Sequence, residues 1–175
     1  MTDNEPIRKE VDGITFLSTG RYYEGINQWV AHKLKEGDID ANDYAARQMA
    51  KLLPKNAVLV PIPGHFGKAD QTMHIARAIA SYTRLPVVDA LRGRERESQY
   101  SAKYKGTPLT EEQMGFRKIA SLPSGRVPYL IDNVVDTGTT AKAAVKALGG
   151  GIVLSYAMSD TLLEQDIQRT SAFKR

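Results

Sequence analysis

The most constraining feature of this chain is a change of periodicity within one segment, "VPYLIDNVVDTGTTAKAAVKALGGG", residues 127–151. It opens as a continuous apolar run, the pattern of a strand buried on both faces. It ends with Ala141, Ala144, Val145 and Leu148 on one helical stripe, Lys142 and Lys146 beside them, and glycines to stop the helix. A strand that hands over directly to a helix belongs to a parallel sheet, because parallel neighbours need a long crossover. Other segments repeat the theme. "NAVLVPIPG" predicts a buried strand closed by Pro and Gly, followed by a helix in "QTMHIARAIASYT". Asp70 is placed to cap that helix, with Met73, Ala76, Ile79 and Ala80 facing inward. "LPVVDAL" and "GIVLSYAM" predict two more core strands. The order predicts an α/β fold: a parallel central sheet flanked by helices on both faces.

Ahead of this core, "DGITFLST" alternates weakly, as a short strand does. Ile26, Trp29, Val30 and Leu34 recur at helical spacing, which makes Trp29 a core residue. A second helix is predicted in "ANDYAARQMAKLLP", with Asp40 or Asp43 as its cap. These elements are expected to form a side layer or small cap. The stretch from Arg92 to Lys118 is polar and basic without clear period, apart from a short helix at "TEEQM". A loop of that length in a compact domain is commonly a functional lid. No linker divides the chain, so residues 1–175 are expected to form one domain.

Composition narrows the classes. There is no cysteine, which excludes disulfides and thiolate metal sites in these 175 residues. No apolar run reaches the roughly eighteen residues of a membrane helix. The polar opening "MTDNEPIRKEVDG" is unlike a secretory signal, and a cytoplasmic location is expected. The net charge of +4 suits either a nucleic acid or a compact site for a polyanionic metabolite.

In open parallel sheets ligands bind beyond the carboxyl ends of the strands. "IDNVVDTGTTAKAA" lies at such an end. Gly138 lets the backbone approach a ligand, the helix start offers N–H groups, and Thr137, Thr139 and Thr140 add hydroxyls. Together they can form a nest for a phosphate monoester. Asp132 and Asn133 directly upstream can accept hydrogen bonds from sugar hydroxyls. The competing reading is a threonine cap on a purely structural helix. "GHFGKAD" lacks the four-residue spacer and the Ser or Thr of a nucleotide-binding P-loop. "GDIDANDY" lacks the Gly and distal Glu of a calcium loop. His32 and His74 fall within predicted helices, whereas His65 lies in a turn facing the site.

"PYLIDNVVDTGTT" resembles the phosphoribosyl pyrophosphate (PRPP) motif of type I phosphoribosyltransferases: apolar residues, two acids, two apolar residues, a variable position, then Thr-Gly-x-Thr. The order of elements over residues 20–158 is similar to the ComF-like branch, without its zinc module. The resemblance implies that Val135, Asp136, Thr137, Gly138, Thr139 and Thr140 hold the 5-phosphate. It places Asp132 and Asn133 on the ribose hydroxyls, with Asp132 in indirect contact with Mg²⁺. Pro63, Gly64, His65 and Lys68 would face the pyrophosphate through an unusual backbone geometry. Ser98, Gln99, Tyr100, Lys103 and Lys105 would form a flexible loop that closes over PRPP. The implied reaction passes ribose 5-phosphate to a nitrogen base, and relatives commonly pair as homodimers. Asp136 is either a general acid/base near a purine or a solvated turn residue. Asn133 is the departure, since the family usually has an acid there.

Overall fold

The structure is a computed structural model that describes residues 5–165. Its centre is a five-stranded sheet in the order β1-β2-β7-β6-β3. The strands are β1 (Ile7–Val11), β2 (Ile14–Ser18), β3 (Ala57–Pro61), β6 (Val127–Val135) and β7 (Ile152–Met158). β2, β7, β6 and β3 are parallel, and β1 is antiparallel at the edge. β3 is buried at every position, as its unbroken apolar run requires.

Two hydrophobic clusters cover the faces. Helices α1 (Asn27–Lys35), α2 (Ile39–Ala50) and α3 (Gln71–Thr83) pack on one face around Leu59, Tyr129, Ile131, Leu154 and Tyr156. Helix α6 (Thr139–Leu148) packs on the other, with Phe16, Val60, Ile62, Leu130 and Val153. Each such fully buried aliphatic side chain contributes about 1.5–3 kcal/mol of transfer free energy. Among the described residues no helix is long and apolar enough to cross a membrane.

Several local expectations are corrected. Of the two arrangements expected of the first helices, the structure shows the side layer and not the cap: α1 and α2 join α3 in covering a sheet face, and β2 extends the main sheet. β1 carries Arg8, Lys9 and Glu10 on an edge strand, and the Asp12–Gly13 turn joins it to β2 with φ of 52° and 76°. Both values are positive, as a two-residue hairpin turn of this hand needs. Trp29 is 61% exposed, because Asn27, Val30, Ala31 and Leu34 occupy the inner side of α1. The cap of α2 is Asp38, whose carboxylate accepts from the Ala41 N–H at 2.8 Å. Asp70 sits at the start of α3 without a capping hydrogen bond from its side chain, and Thr72 and Ile75 are buried where Met73 and Ala80 were expected.

"LPVVDAL" is not a full strand. It touches the sheet through one bridge, Leu59 to Val87, and then enters the two-residue strand β4 (Leu91–Arg92). The expected loop folds further than its composition indicates. It contains α4 (Gln99–Tyr104), α5 (Glu111–Met114) and β5 (Arg117–Lys118), which pairs with β4. The "TEEQM" helix is α5, closed by a Thr110–Gln113 capping box.

Candidate active site

Adjacent strands β3 and β6 end side by side, and each runs through a turn into a helix. Their turns, residues 62–68 and 136–140, form opposite walls of a cleft of about 390 Å³. Every residue expected at the phosphate, ribose and pyrophosphate positions lines it: Asp132, Asn133, Val135, Asp136, Thr137, Gly138, Thr139 and Thr140 on one side, with Pro63, Gly64, His65 and Lys68 on the other. Ser98, Gln99 and Tyr100 close one end.

The 136–140 turn is open to this cleft and braced from behind. Gly138 adopts a φ of 86°, which a side chain rarely tolerates. A Cβ there would also lie 3.1 Å from Leu162 and 3.3 Å from Phe16. The hydroxyls of Thr137 and Thr139 lie 3.1 Å apart, and the Thr139 N–H donates to Thr137 Oγ1 at 3.4 Å.

The facing turn is built differently. The Gly64 N–H donates to Lys68 O and the Gly67 N–H to Gly64 O, each at 3.0 Å. The unusual backbone expected at Pro63, Gly64 and His65 is not found there: the described peptide bonds are trans, and the positive φ of this turn, 81°, belongs to Gly67. A Cβ on Gly67 would meet the Gly93 carbonyl at 2.4 Å.

On the cleft floor, burial pushes the Asp132 carboxyl up to about 7, against the Asn133 N–H that donates to it at 2.8 Å. The buried Oδ1 of Asn133 has no hydrogen-bond partner. An unmade hydrogen bond of this kind costs about 1–3 kcal/mol. Burial alone would raise the Asp136 carboxyl. The Lys103 ammonium at 2.6 Å and the Ser159 hydroxyl at 2.8 Å outweigh it and hold Asp136 below the usual carboxylate range.

The expected lid residues divide. The Ser98 hydroxyl caps α4 by accepting from the Ser101 N–H, and the Gln99 amide ties the helix to the Leu109 backbone at 2.8 and 3.1 Å. Tyr100 lines the end of the cleft while remaining largely exposed, with the Lys35 ammonium 5.8 Å from its ring centre. Lys103 reaches the site through Asp136 and does not line the cleft. Lys105 does not join it: its ammonium pairs with Glu97 at 3.0 Å.

Arg96 is a site residue that sequence reasoning missed. Its N–H donates to His65 O at 2.8 Å, and its guanidinium donates to Gly64 O at 3.1 Å while lying 5.3 Å from the Phe116 ring centre. Burial lowers its pKa, and no carboxylate pairs with it among the described residues. Lys35 also lines the cleft from α1. Lys35, Lys68 and Arg96 thus bring cations to the side opposite the threonines, an arrangement suited to a ligand with negative charge at both ends.

No protein-family model and no curated protein matches the chain. Among solved structures it is similar to an adenine phosphoribosyltransferase at 15% identity, over 92% of this chain and 89% of that one, with a TM-score of 0.49. It is similar to UMP synthase of Leishmania donovani at 17% identity, over 81% and 27% of the two chains, with a TM-score of 0.46. It is also similar to an allosteric regulatory enzyme of purine biosynthesis at 15% identity, over 67% and 25%, with a TM-score of 0.44. The chain spans about a quarter of the length of the last two. What this cleft binds is therefore decided by its own residues.

Proposed function

We propose that the protein binds PRPP in this cleft and transfers its ribose 5-phosphate to a nitrogen base, releasing diphosphate. One observation carries the proposal. A glycine-threonine turn at a helix start opens onto a cavity whose floor holds Asp132 and Asn133 and whose far wall is cationic. In this arrangement the Thr137 and Gly138 N–H groups and the threonine hydroxyls take the monoester. Asp132 and Asn133, on the cleft floor, take the vicinal hydroxyls of the pentose. Lys68 and Arg96 take the diphosphate.

In the transfer, the bond from ribose C1 to the diphosphate oxygen breaks with both electrons leaving on that oxygen. A bond from the base nitrogen to C1 then forms, and the base loses its N–H proton. Developing positive charge on the ribose is stabilised by nearby acidic groups, and the departing oxygen by fixed cations. Asp136, held as a carboxylate beside Lys103, is placed to accept that N–H.

The residues fit a magnesium ion that arrives with the ligand. No three His, Asp or Glu side chains converge as a metal cage among the described residues, and Mg²⁺ commonly uses substrate oxygens and water. Asp132 would support it, because a cation would favour the charged form that burial disfavours. When bound, the ion would neutralise the diphosphate leaving group.

A second reading rests on Asn133. With one acid of the floor replaced by an amide, the cleft could bind PRPP or a nucleotide as a non-catalytic regulatory module. Diphosphate release, measured with PRPP, Mg²⁺ and a panel of purine and pyrimidine bases, separates the two. Release with at least one base supports transfer; calorimetric PRPP binding without release from any base supports the module.

A further inference from the structure

Three consecutive carbonyl groups behind the 136–140 turn are captured by the chain that follows β7. The Ser159 N–H donates to Val135 O at 2.9 Å, the Ser159 hydroxyl, shared with the Asp136 carboxylate, to Asp136 O at 2.9 Å, and Gln165 Nε2 to Thr137 O at 2.7 Å. In a trans peptide the C=O and the following N–H point in opposite directions. Drawing the Asp136 and Thr137 carbonyls to the rear therefore turns the Thr137 and Gly138 N–H groups the other way. No described group accepts from either N–H.

Gln165 is itself held. The Lys142 ammonium, on a side chain only 11% exposed, lies 2.9 Å from Asp12 Oδ2 and 3.4 Å from Gln165 Oε1. Lys142 is in the first turn of α6, where a cation opposes the helix dipole. Asp12 in the β1–β2 turn compensates that charge. The arrangement thus ties the first hairpin and the helical segment 160–165 to the back of one turn.

We propose that Lys142, Ser159 and Gln165 are positioning residues for anion binding: they fix the carbonyls of the 135–138 turn at its rear so that its N–H groups face the ligand. This rests on the turn being the phosphate site. It predicts that the Gln165 side chain, which does not line the cleft, controls affinity.

The test uses Gln165→Leu, Lys142→Met and the double variant in the full chain. Ribose 5-phosphate titrations are followed by the amide resonances of Thr137 and Gly138. Each single variant is expected to weaken binding about threefold to tenfold, the worth of one oriented hydrogen bond. The double variant should be no weaker than the weaker single, because both act through one contact. The Gly138 amide nitrogen should also shift in both variants without ligand, which general loosening elsewhere would not produce. If the parent binds but both variants match its affinity and its Gly138 resonance, the positioning role is overturned and the phosphate site stands. If the Gly138 resonance shifts but no form binds ribose 5-phosphate, the carbonyl arrangement stands and both the phosphate site and the role assigned here are overturned.

Discussion

The turns after β3 and β6 occupy equivalent places at the ends of neighbouring parallel strands, yet they offer an anion different things. The β6 turn keeps its carbonyls occupied from behind and presents N–H groups and threonine hydroxyls. The β3 turn uses the Gly64 and Gly67 amides to close on itself, and its contribution is charge, from Lys68 and Arg96. Backbone dipoles held in place lose little entropy on binding, whereas long side chains bring more charge and more sensitivity to salt. One wall therefore suits a monoester of fixed position, and the other a more highly charged diphosphate.

The largest effect should follow from filling the first wall. Thr139→Trp is expected to abolish calorimetric binding of both ribose 5-phosphate and PRPP while leaving diphosphate binding to the other turn. Loss of diphosphate alone would reverse the assignment of the two walls. Next is Asn133→Asp, which should keep PRPP affinity and raise the transfer rate by up to about a hundredfold, the scale of one preorganised electrostatic group. A lower rate would give the amide a role of its own.

Arg96→Met is expected to weaken diphosphate binding about tenfold, the scale of a lost charge-assisted hydrogen bond, and to spare ribose 5-phosphate. Equal weakening of both ligands would show that the walls are not separate. The remaining effect is on stability and not on binding, and it concerns the floor between them. Folding raises the Asp132 carboxyl to about 7. Its protonated form is thus favoured in the folded state, and stability falls as pH rises from about 4 through 7. Asp132→Asn should then raise the Tm by several degrees at pH 8 and change it little at pH 4.5. The same shift at both values would contradict a desolvated carboxyl.

Legibility in the sequence followed the strength of local signals. β3, β6, β7 and α6 were readable because long apolar runs and a clean stripe allow few alternatives. The β6 turn was readable because glycine and threonine at a strand-helix junction have a specific use. Trp29 was misplaced because periodicity defines a stripe without saying which side faces the sheet, and Asn27 took the inner position. Asn27 is buried by donating to Arg21 O at 2.7 Å and accepting from the Tyr156 hydroxyl at 2.8 Å. β1 was missed because an edge strand can carry charge on its open side. Its Asp12-Gly13 turn was nevertheless the available hairpin signal. Arg96 left no local trace, since its role depends on Gly64 and Phe116, distant in the chain. Gln165 is legible only in three dimensions, through a carbonyl 28 residues earlier.

The central claim is that the β6 turn holds a phosphate monoester. A crystal of the protein with PRPP and Mg²⁺ tests it most directly. The account predicts the 5-phosphate within hydrogen-bond distance of the Thr137 and Gly138 N–H groups, the pentose hydroxyls against Asp132 and Asn133, and the diphosphate toward Lys68 and Arg96. A monoester seated on the Gly64–Lys68 turn, or a cleft that stays free of PRPP at millimolar concentration, would contradict it.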